Sequence, residues 1–256
     1  MFINDHLFNK TDDYQFIEYP VNKAVMQNSR TFTPATIIDM ENLRDYINQL
    51  RHDFSKLTLD ETMVSNNPVQ QFETWFKAAV EAKVNEPNAM SVATVNAAGR
   101  PASRIVLLRN FDEKGLVFYT NYNSRKGHEI AANPHAALLF FWPELERQVR
   151  IEGKLVLQTA ADSDSYFASR PRSSRLGAWT SPQSSKIDNR AVLDKELAAI
   201  TKRFENTDVP RPEWWGGYLL QPDYFEFWQG RESRLHDRIV YEKEATGNWL
   251  RSRLAP

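Results

Sequence analysis

Apolar residues along this chain recur first at a helical spacing and later at the two-residue spacing of strands. Between residues 40 and 54 they recur every three or four positions, which predicts a helix. A second helix is predicted where Asn67 can cap the first turn and Pro68 suits the first helical position. Its apolar face, residues 69–80, leads up to Pro87. Two helices are therefore expected before the strands begin.

The pattern then becomes that of strands, with turn residues between the apolar runs. Residues 90–96, 104–110 and 115–120 are predicted to form an antiparallel meander. A short helix is predicted at residues 125–132, because Ser124 can cap it. The remaining predicted elements are strands 135–141 and 148–157, helices 162–169 and 189–204 joined by a Ser- and Arg-rich loop, and strands 217–221, 225–229 and 235–242.

This order of elements predicts a fold class. Strands and helices do not alternate regularly, so a doubly wound parallel sheet is not expected. The prediction is a mainly β, α+β fold, an antiparallel barrel with packed helices. Residues 1–38 show no clear period and are predicted to be an N-terminal extension, which can be flexible, and residues 39–256 form one domain.

Composition narrows the chemistry. The 256 residues include no cysteine and carry a formal net charge of −1, so disulfides, thiolate metal sites and a global attraction to nucleic acid or anionic membranes are not expected. Neither glycine-rich phosphate-loop pattern occurs, and no H-E-x-x-H or G-x-S-x-G motif is present. No metal site is predicted. With no secretory signal in residues 1–10, a cytoplasmic location is the expectation.

Local clusters of cations stand out in this nearly neutral chain. Arg104 and Arg109 end an apolar run, and regular alternation along a strand would place them on opposite faces, where they could serve two anions or simply reach solvent. Ser124, Arg125 and Lys126 begin the predicted short helix, where a phosphate cradle and an ordinary solvated helix start are both open.

A longer cationic segment lies between Asp164 and Asp188, which enclose four cations and no acid. This clustering favours an anion site over a solvated basic loop. The four cations are Arg170, Arg172, Arg175 and Lys186.

Near the C-terminus, an aromatic and cationic group follows. Trp228 could pack on a flat heteroaromatic ring, and Arg234 or Arg238 could stack on a ring or pair with an anion. His236 between them is either structural or catalytic.

At these residues the chain resembles the pyridoxine (pyridoxamine) 5′-phosphate oxidase family. The similarity extends from about Pro87 to Pro256, and seven motifs occur in family order. They are R-I-V-L-L-R, F-Y-T-N-x-x-S-R-K, L-E-R-Q-V, S-R-P-R-x-S, G-A-W-x-S-x-Q-S-S, F-W-Q-G and R-L-H-D-R.

The resemblance implies a split antiparallel barrel that binds FMN at the interface of a homodimer, without nucleic acid or membrane partners. Matching the motifs residue by residue implies two binding sets. The FMN set is Arg104, Ile105, Val106, Leu107, Leu108, Arg109, Tyr119, Thr120, Arg125, Lys126, Gln148, Gln183, Ser184, Trp228 and Arg238. The substrate set is Arg109, Tyr166, Arg170, Ser174, Arg234, Leu235 and His236, of which Arg234 and His236 would be catalytic.

The implied reaction is oxidation of pyridoxine or pyridoxamine 5′-phosphate to pyridoxal 5′-phosphate by O₂, giving H₂O₂ and, from the amine, NH₃. A related FMN oxidase of secondary metabolism and a non-catalytic carrier of flavin or pyridoxal phosphate are the alternatives. The chain departs from the family pattern at Arg109, where lysine is common, and at residues 51–54, which lack a tyrosine hydroxyl.

Overall fold

The computed structural model describes residues 47, 48, 50, 54 and 56–256. The chain divides into two units, residues 1–51 and 52–256. Of the first unit, Ile47 and Asn48 are helical. Leu50 and Phe54 are described but are not helical. The other residues of the helix predicted at 40–54, and the predicted boundary after residue 38, lie outside the described residues.

The first full helix, α1 (Pro68–Glu81), begins where the sequence predicted. The Asn67 side chain accepts hydrogen bonds from the backbone N–H groups of Val69 and Gln70, at 2.8 and 3.3 Å. Phe72, Trp75 and Ala79 form the buried face of α1. Val80, predicted on that face, is 52% exposed, because the next residue along a helix is turned about 100° away.

Residues 89–254 contain an antiparallel sheet of nine strands. Its order is β2-β1-β5-β6-β7-β4-β3, and β8 pairs with both β7 and β9. The strands are β1 (Ala89–Val95), β2 (Pro101–Leu107), β3 (Asn110–Asp112), β4 (Gly115–Asn121), β5 (His135–Trp142), β6 (Arg147–Leu157), β7 (Trp215–Gln229), β8 (Asp237–Lys243) and β9 (Trp249–Leu254).

The sheet is a split barrel, as predicted, but the pairing of its first strands is not a simple meander. β1 and β2 form a hairpin, whereas β4 pairs with β7 from Leu116↔Leu220 to Asn121↔Trp215. The predicted strand 104–110 is interrupted because the backbone turns after Leu107. The Leu108 N–H then donates to Asn88, and the Arg109 N–H donates to Val117.

The C-terminal strands also differ from the prediction. The two strands predicted at residues 217–221 and 225–229 are one continuous strand, β7, with a register shift opposite Glu152 and Gly153. Gly153 permits this close pairing, since a Cβ there would lie 2.1 Å from the Gln221 carbonyl oxygen. β9, which pairs with β8, was not predicted.

Four further helices pack beside the sheet. Helix α2 (Arg125–Ala132) has the predicted bounds, and α3 (Ala160–Ser169) and α5 (Arg190–Arg203) lie close to theirs. The loop predicted between them instead contains α4 (Arg172–Thr180), because Leu176 and Thr180, four residues apart, are both buried. Leu176 belongs to a second hydrophobic cluster, whose members are Phe167, Leu176, Ile200, Phe204, Val209 and Trp215. Within the described residues, no helix is long and apolar enough to cross a bilayer.

Candidate functional site

A cavity of about 470 Å³ lies where β2, β4 and the start of α2 meet α3 and β7. Among the residues that the structure describes, four cationic side chains line it, and no carboxylate does. Such a lining suits an anionic ligand. The lining residues are Arg104, Ile105, Val106, Leu107, Arg109, Tyr119, Thr120, Asn121, Lys126, Tyr166, Arg170, Gln183 and Trp215.

Arg104 and Arg109 both belong to this lining, so the prediction that they lie on opposite faces is wrong, whereas their service to two anions stays a prediction. Strand alternation stops at Leu107, and the turn that follows brings Arg109 beside the same cavity. Leu108 between them points into the core, where it is buried. Of the predicted FMN set, Leu108 therefore offers the ligand no exposed side chain.

The buried carboxylate of Glu129 holds Arg104 in place. The Arg104 guanidinium donates to Glu129 Oε2 at 3.0 Å and to Thr94 Oγ1 at 2.5 Å. Glu129, on α2, is only 4% exposed and also accepts from Arg125 Nε at 2.8 Å. Burial raises the pKa of Glu129, but the hydrogen bonds from Thr94, Arg125 and Arg104 outweigh it and leave that pKa below its ordinary value. One carboxylate thus orients two of the predicted phosphate-binding arginines.

Lys126 lies at the N-terminal end of α2, close to Arg104. Its ammonium donates to Thr120 Oγ1 at 2.7 Å and to Gln183 Oε1 at 2.8 Å. Burial, and then the charge of Arg104, lowers the pKa of Lys126 to about 8. A bound anion would offset both effects, because it would favour the protonated ammonium.

The other end of the cavity is aromatic. The rings of Tyr119 and Tyr166 stack with centroids 3.9 Å apart, and both are nearly parallel to Trp215. The Arg170 guanidinium lies 4.6 Å from the centroid of Trp215, and that of Arg109 lies 6.0 Å from Tyr166. Burial lowers the pKa of Arg170. Its Nη1 is buried and has no hydrogen-bond partner in the part of the chain that the structure describes.

Two further arginines of the cationic segment 164–188 bind other parts of the protein. Arg172 donates to the carbonyl oxygens of Phe204 and Thr207, and Arg175 pairs with Asp208 at 2.6 Å. Only Arg170 of its four cations lines the cavity. The predicted Ser174 lines an adjoining space of about 310 Å³ together with Arg170. The predicted Ser184 lines a neighbouring cavity that Arg125 also borders.

A second group of predicted residues lies at the far ends of β6, β7 and β8. Gln148, Trp228 and Arg238 are cross-strand neighbours in register. Arg238 Nε donates to the buried Glu226 Oε1 at 2.8 Å, and Glu226 also pairs with Arg150. This second carboxylate orients Arg238 much as Glu129 orients Arg104.

His236 packs in the same group, with its ring 4.6 Å from Trp228 and 5.7 Å from Phe54. Its Nδ1 accepts a hydrogen bond from the Arg231 N–H at 3.1 Å, which leaves Nε2 to carry the ring proton. Burial, and then the charge of Arg234, lowers the pKa of His236, so the imidazole is neutral at pH 7. Arg234 has a φ of 60°, a strained backbone for a non-glycine residue. Leu235 beside it is 69% exposed.

The predicted residues therefore form two groups rather than one. Trp215 lies by the cavity and Trp228 lies in the second group, thirteen residues apart on β7. At about 3.3 Å per residue, the path along the strand is roughly 43 Å.

Reasoning from sequence missed Glu129, Trp215, Glu226 and Phe54, which hold or contact predicted site residues. One signal for Glu129 was present, since it lies four residues after Arg125 on a helix.

Two family models match the chain. The model described as "Pyridoxamine 5'-phosphate oxidase" matches residues 76–204, and the one described as "Pyridoxine 5'-phosphate oxidase C-terminal dimerisation region" matches residues 215–256. Proteins named pyridoxine/pyridoxamine 5′-phosphate oxidase are similar over most of their length. That of Cyanothece sp. is 54% identical over 82% of this chain and 98% of its own. That of Burkholderia vietnamiensis is 56% identical over 81% of this chain and 97% of its own.

Solved structures share the fold. PhzG from Burkholderia lata, in complex with tetrahydrophenazine-1-carboxylic acid, has a TM-score of 0.74 at 29% identity and covers 79% of this chain and 99% of its own. An FMN-binding protein from Nostoc punctiforme related to pyridoxamine 5′-phosphate oxidase has a TM-score of 0.59 at 20% identity, over 75% of this chain and 100% of its own.

Proposed function

Because the chain belongs to the pyridoxamine 5′-phosphate oxidase family, we propose that it oxidises pyridoxine 5′-phosphate and pyridoxamine 5′-phosphate to pyridoxal 5′-phosphate. O₂ accepts the electrons and becomes H₂O₂, and water releases NH₃ from the amine substrate. The observation that carries the proposal is the cavity, whose described lining has four cations and no carboxylate and so suits phosphorylated ligands.

The residues of this cavity, together with Arg125 at the neighbouring cavity, fit FMN as the resident cofactor. Arg104, Arg125 and Lys126 carry three positive charges, and Glu129 between them carries one negative charge. The remaining two positive charges match a phosphate monoester, which carries about −1.5 to −2 at pH 7. When bound, FMN supplies the electron acceptor that the amino acids of the chain cannot supply.

The proposal assigns the substrate phosphate to Arg109, Tyr166, Arg170 and Ser174. The unpartnered Nη1 of Arg170 supports the assignment, since a buried N–H donor gains most from an anionic acceptor. At the other group, Arg234 and the neutral His236 would orient the pyridine ring. His236 Nε2, which carries its proton when the imidazole is neutral, would donate a hydrogen bond to the 4′ substituent.

The two groups lead to a proposed homodimer. The far end of β7 lies in the region matched by the dimerisation model, residues 215–256. In a dimer with two-fold symmetry, the second group of one subunit can complete the cavity of its partner. Each FMN site would then take Gln148, Trp228 and Arg238 from the partner chain.

The cytoplasmic location stays a prediction from composition.

A second candidate is an FMN oxidase of secondary metabolism, because PhzG shares this fold at 29% identity. The identity to proteins named pyridoxine/pyridoxamine 5′-phosphate oxidase is higher, at 54 to 56%. The higher identity favours the vitamin B6 phosphates as substrates. The non-catalytic carrier is the third candidate.

One assay separates the three. The purified protein is expected to be yellow and to release peroxide with pyridoxine 5′-phosphate, but much less with unphosphorylated pyridoxine at the same concentration. Peroxide release only with a reduced phenazine carboxylic acid would favour the second candidate. A yellow protein that turns over neither substrate would favour the carrier.

A further inference from the structure

Arginines in the two groups of predicted site residues are held in two different ways. Arg104 is held by the carboxylate of Glu129, and Arg238 by that of Glu226. Arg170 has no acidic partner among the described residues. Its guanidinium instead lies 4.6 Å from the ring centroid of Trp215 and 5.4 Å from that of Phe167. Aromatic rings take the place that a carboxylate has at the other two arginines.

We propose that Trp215 is a positioning residue, which holds the Arg170 guanidinium by its ring face so that the N–H donors stay free for the phosphate of the substrate. A carboxylate would use those donors, whereas a ring contacts the flat face of the guanidinium and uses none of them. The inference rests on the proposed function in that the anion is a phosphorylated pyridine.

The contacts around Trp215 hold its ring in one position. Its side chain is 7% exposed, and its ring is within 11° of parallel to Tyr119 and 3° of Tyr166. Its backbone begins β7, where it pairs with Asn121, and its carbonyl oxygen accepts from Arg211 at 2.7 Å. Arg211 is itself paired with Asp164. A ring fixed on so many sides can hold a guanidinium in one place at little further entropic cost.

The state of Arg170 also supports the inference. Its Nη1 is buried, makes no hydrogen bond, and belongs to a side chain that lines the cavity. A buried donor without a partner is costly unless a ligand satisfies it. The ring contact offsets part of that cost, because desolvated cation–π pairs are among the stronger ones.

The test compares Trp215→Leu with Trp215→Phe, in the FMN-loaded dimer. Trp214→Leu is the matched control, because the neighbouring Trp214 packs edge-on against Trp179 and lines a different cavity. The first readout is the split between KM and kcat for pyridoxine 5′-phosphate. The second is binding of pyridoxal 5′-phosphate and of unphosphorylated pyridoxal by calorimetry, which needs no turnover.

For Trp215→Leu, we expect KM for the phosphate substrate and the Kd of pyridoxal 5′-phosphate to rise by roughly tenfold, from the loss of a desolvated cation–π contact. kcat, FMN content and the weak binding of pyridoxal should change little. Trp215→Phe should recover most of the affinity, because it keeps a ring face, and Trp214→Leu should behave as wild type.

Three outcomes would overturn the inference. One is an equal loss of FMN and of pyridoxal 5′-phosphate in Trp215→Leu, which indicates general damage. Another is an unchanged Kd for pyridoxal 5′-phosphate in that variant. The third is a wild-type protein that binds no phosphorylated pyridine. Failure of the proposed function alone is distinguishable, since a protein that binds pyridoxal 5′-phosphate without oxidising its reduced precursors still reports on Trp215.

Discussion

Arg104 and Glu129 are joined across 3.0 Å in the first group of site residues, although twenty-five residues separate them in sequence. The carboxylate of Glu129 is buried, and it also receives Arg125 and Thr94. A negative charge this close to the proposed phosphate site would repel the ligand directly. Its benefit would be indirect, because it holds two guanidinium groups where the proposed phosphate would need them.

The first prediction follows from this pair. Glu129→Gln keeps the shape of the side chain but removes the charge that orients Arg104 and Arg125, so FMN should bind at least about tenfold more weakly. Titration of the apoprotein with FMN, followed by flavin fluorescence, measures this. Glu73→Gln, which breaks an exposed ion pair with Lys77, is the control and should leave the FMN affinity as it is. Unchanged affinity in Glu129→Gln would remove the proposed role.

The second prediction concerns pH. Because the pKa of Lys126 is lowered to about 8, the apoprotein loses this positive charge as the pH rises through 8. A bound phosphate favours the charged form, so FMN binding should take up protons and weaken between about pH 7 and 9. Lys126→Arg keeps its charge over that range, and its FMN affinity should vary much less. An FMN affinity that is flat with pH in wild type would contradict the assignment.

The third prediction separates turnover from cofactor retention within the second group. Arg238 is held by Glu226 and assigned to FMN, whereas the exposed Arg234 is assigned to the substrate ring. Arg234→Ala should therefore depress kcat far more than FMN content. Arg238→Ala should lower FMN content, as should Lys126→Ala in the first group. The ratio of flavin to protein absorbance, measured beside peroxide release, decides this. Equal flavin loss in all three variants would argue against the division.

The fourth prediction tests whether the two groups meet between subunits. Arg170→Ala and Arg234→Ala should each be inactive as homodimers, because each dimer lacks the same half of both sites. After unfolding and refolding together, half of the dimers are mixed and have one intact site of two, so about a quarter of wild-type activity should return. Wild-type protein refolded alone calibrates the yield. If both groups belonged to one chain's own site, mixing would restore nothing.

The sequence predicted local structure well where residues close together in the chain determine it, as at the start of a helix. Helices α1 and α2 begin at Asn67 and Ser124, residues whose side chains accept hydrogen bonds from the first turn. Helix α4 escaped prediction because its surface is rich in Ser and Arg, and only Leu176 and Thr180 mark its buried side. The pairing of β4 with β7 could not be read at all, since it joins residues nearly a hundred positions apart, such as Tyr119 and Gly217.

For the candidate site, the sequence likewise predicted local features but not the contacts between distant residues. Cations such as Arg104 and Arg170 are visible in sequence as local clusters in a neutral chain. The partners that fix them are not, because Glu129 and Trp215 come from distant segments and only tertiary packing brings them near. The wrong prediction for Arg104 and Arg109 came from assuming that the strand continues to Arg109. Alternation is a rule for an unbroken strand, and here the strand ends at Leu107.

Strand β7 places an unusual constraint on how this chain can change. It begins beside one group of predicted site residues and ends within the other, so its length sets their separation along the strand. Inserting or deleting one residue between Trp215 and Trp228 would shift one group by about 3.3 Å and turn it to the opposite face of the sheet. Substitutions can adjust either group alone, whereas a change of length in β7 would disturb both sites of the proposed dimer at once.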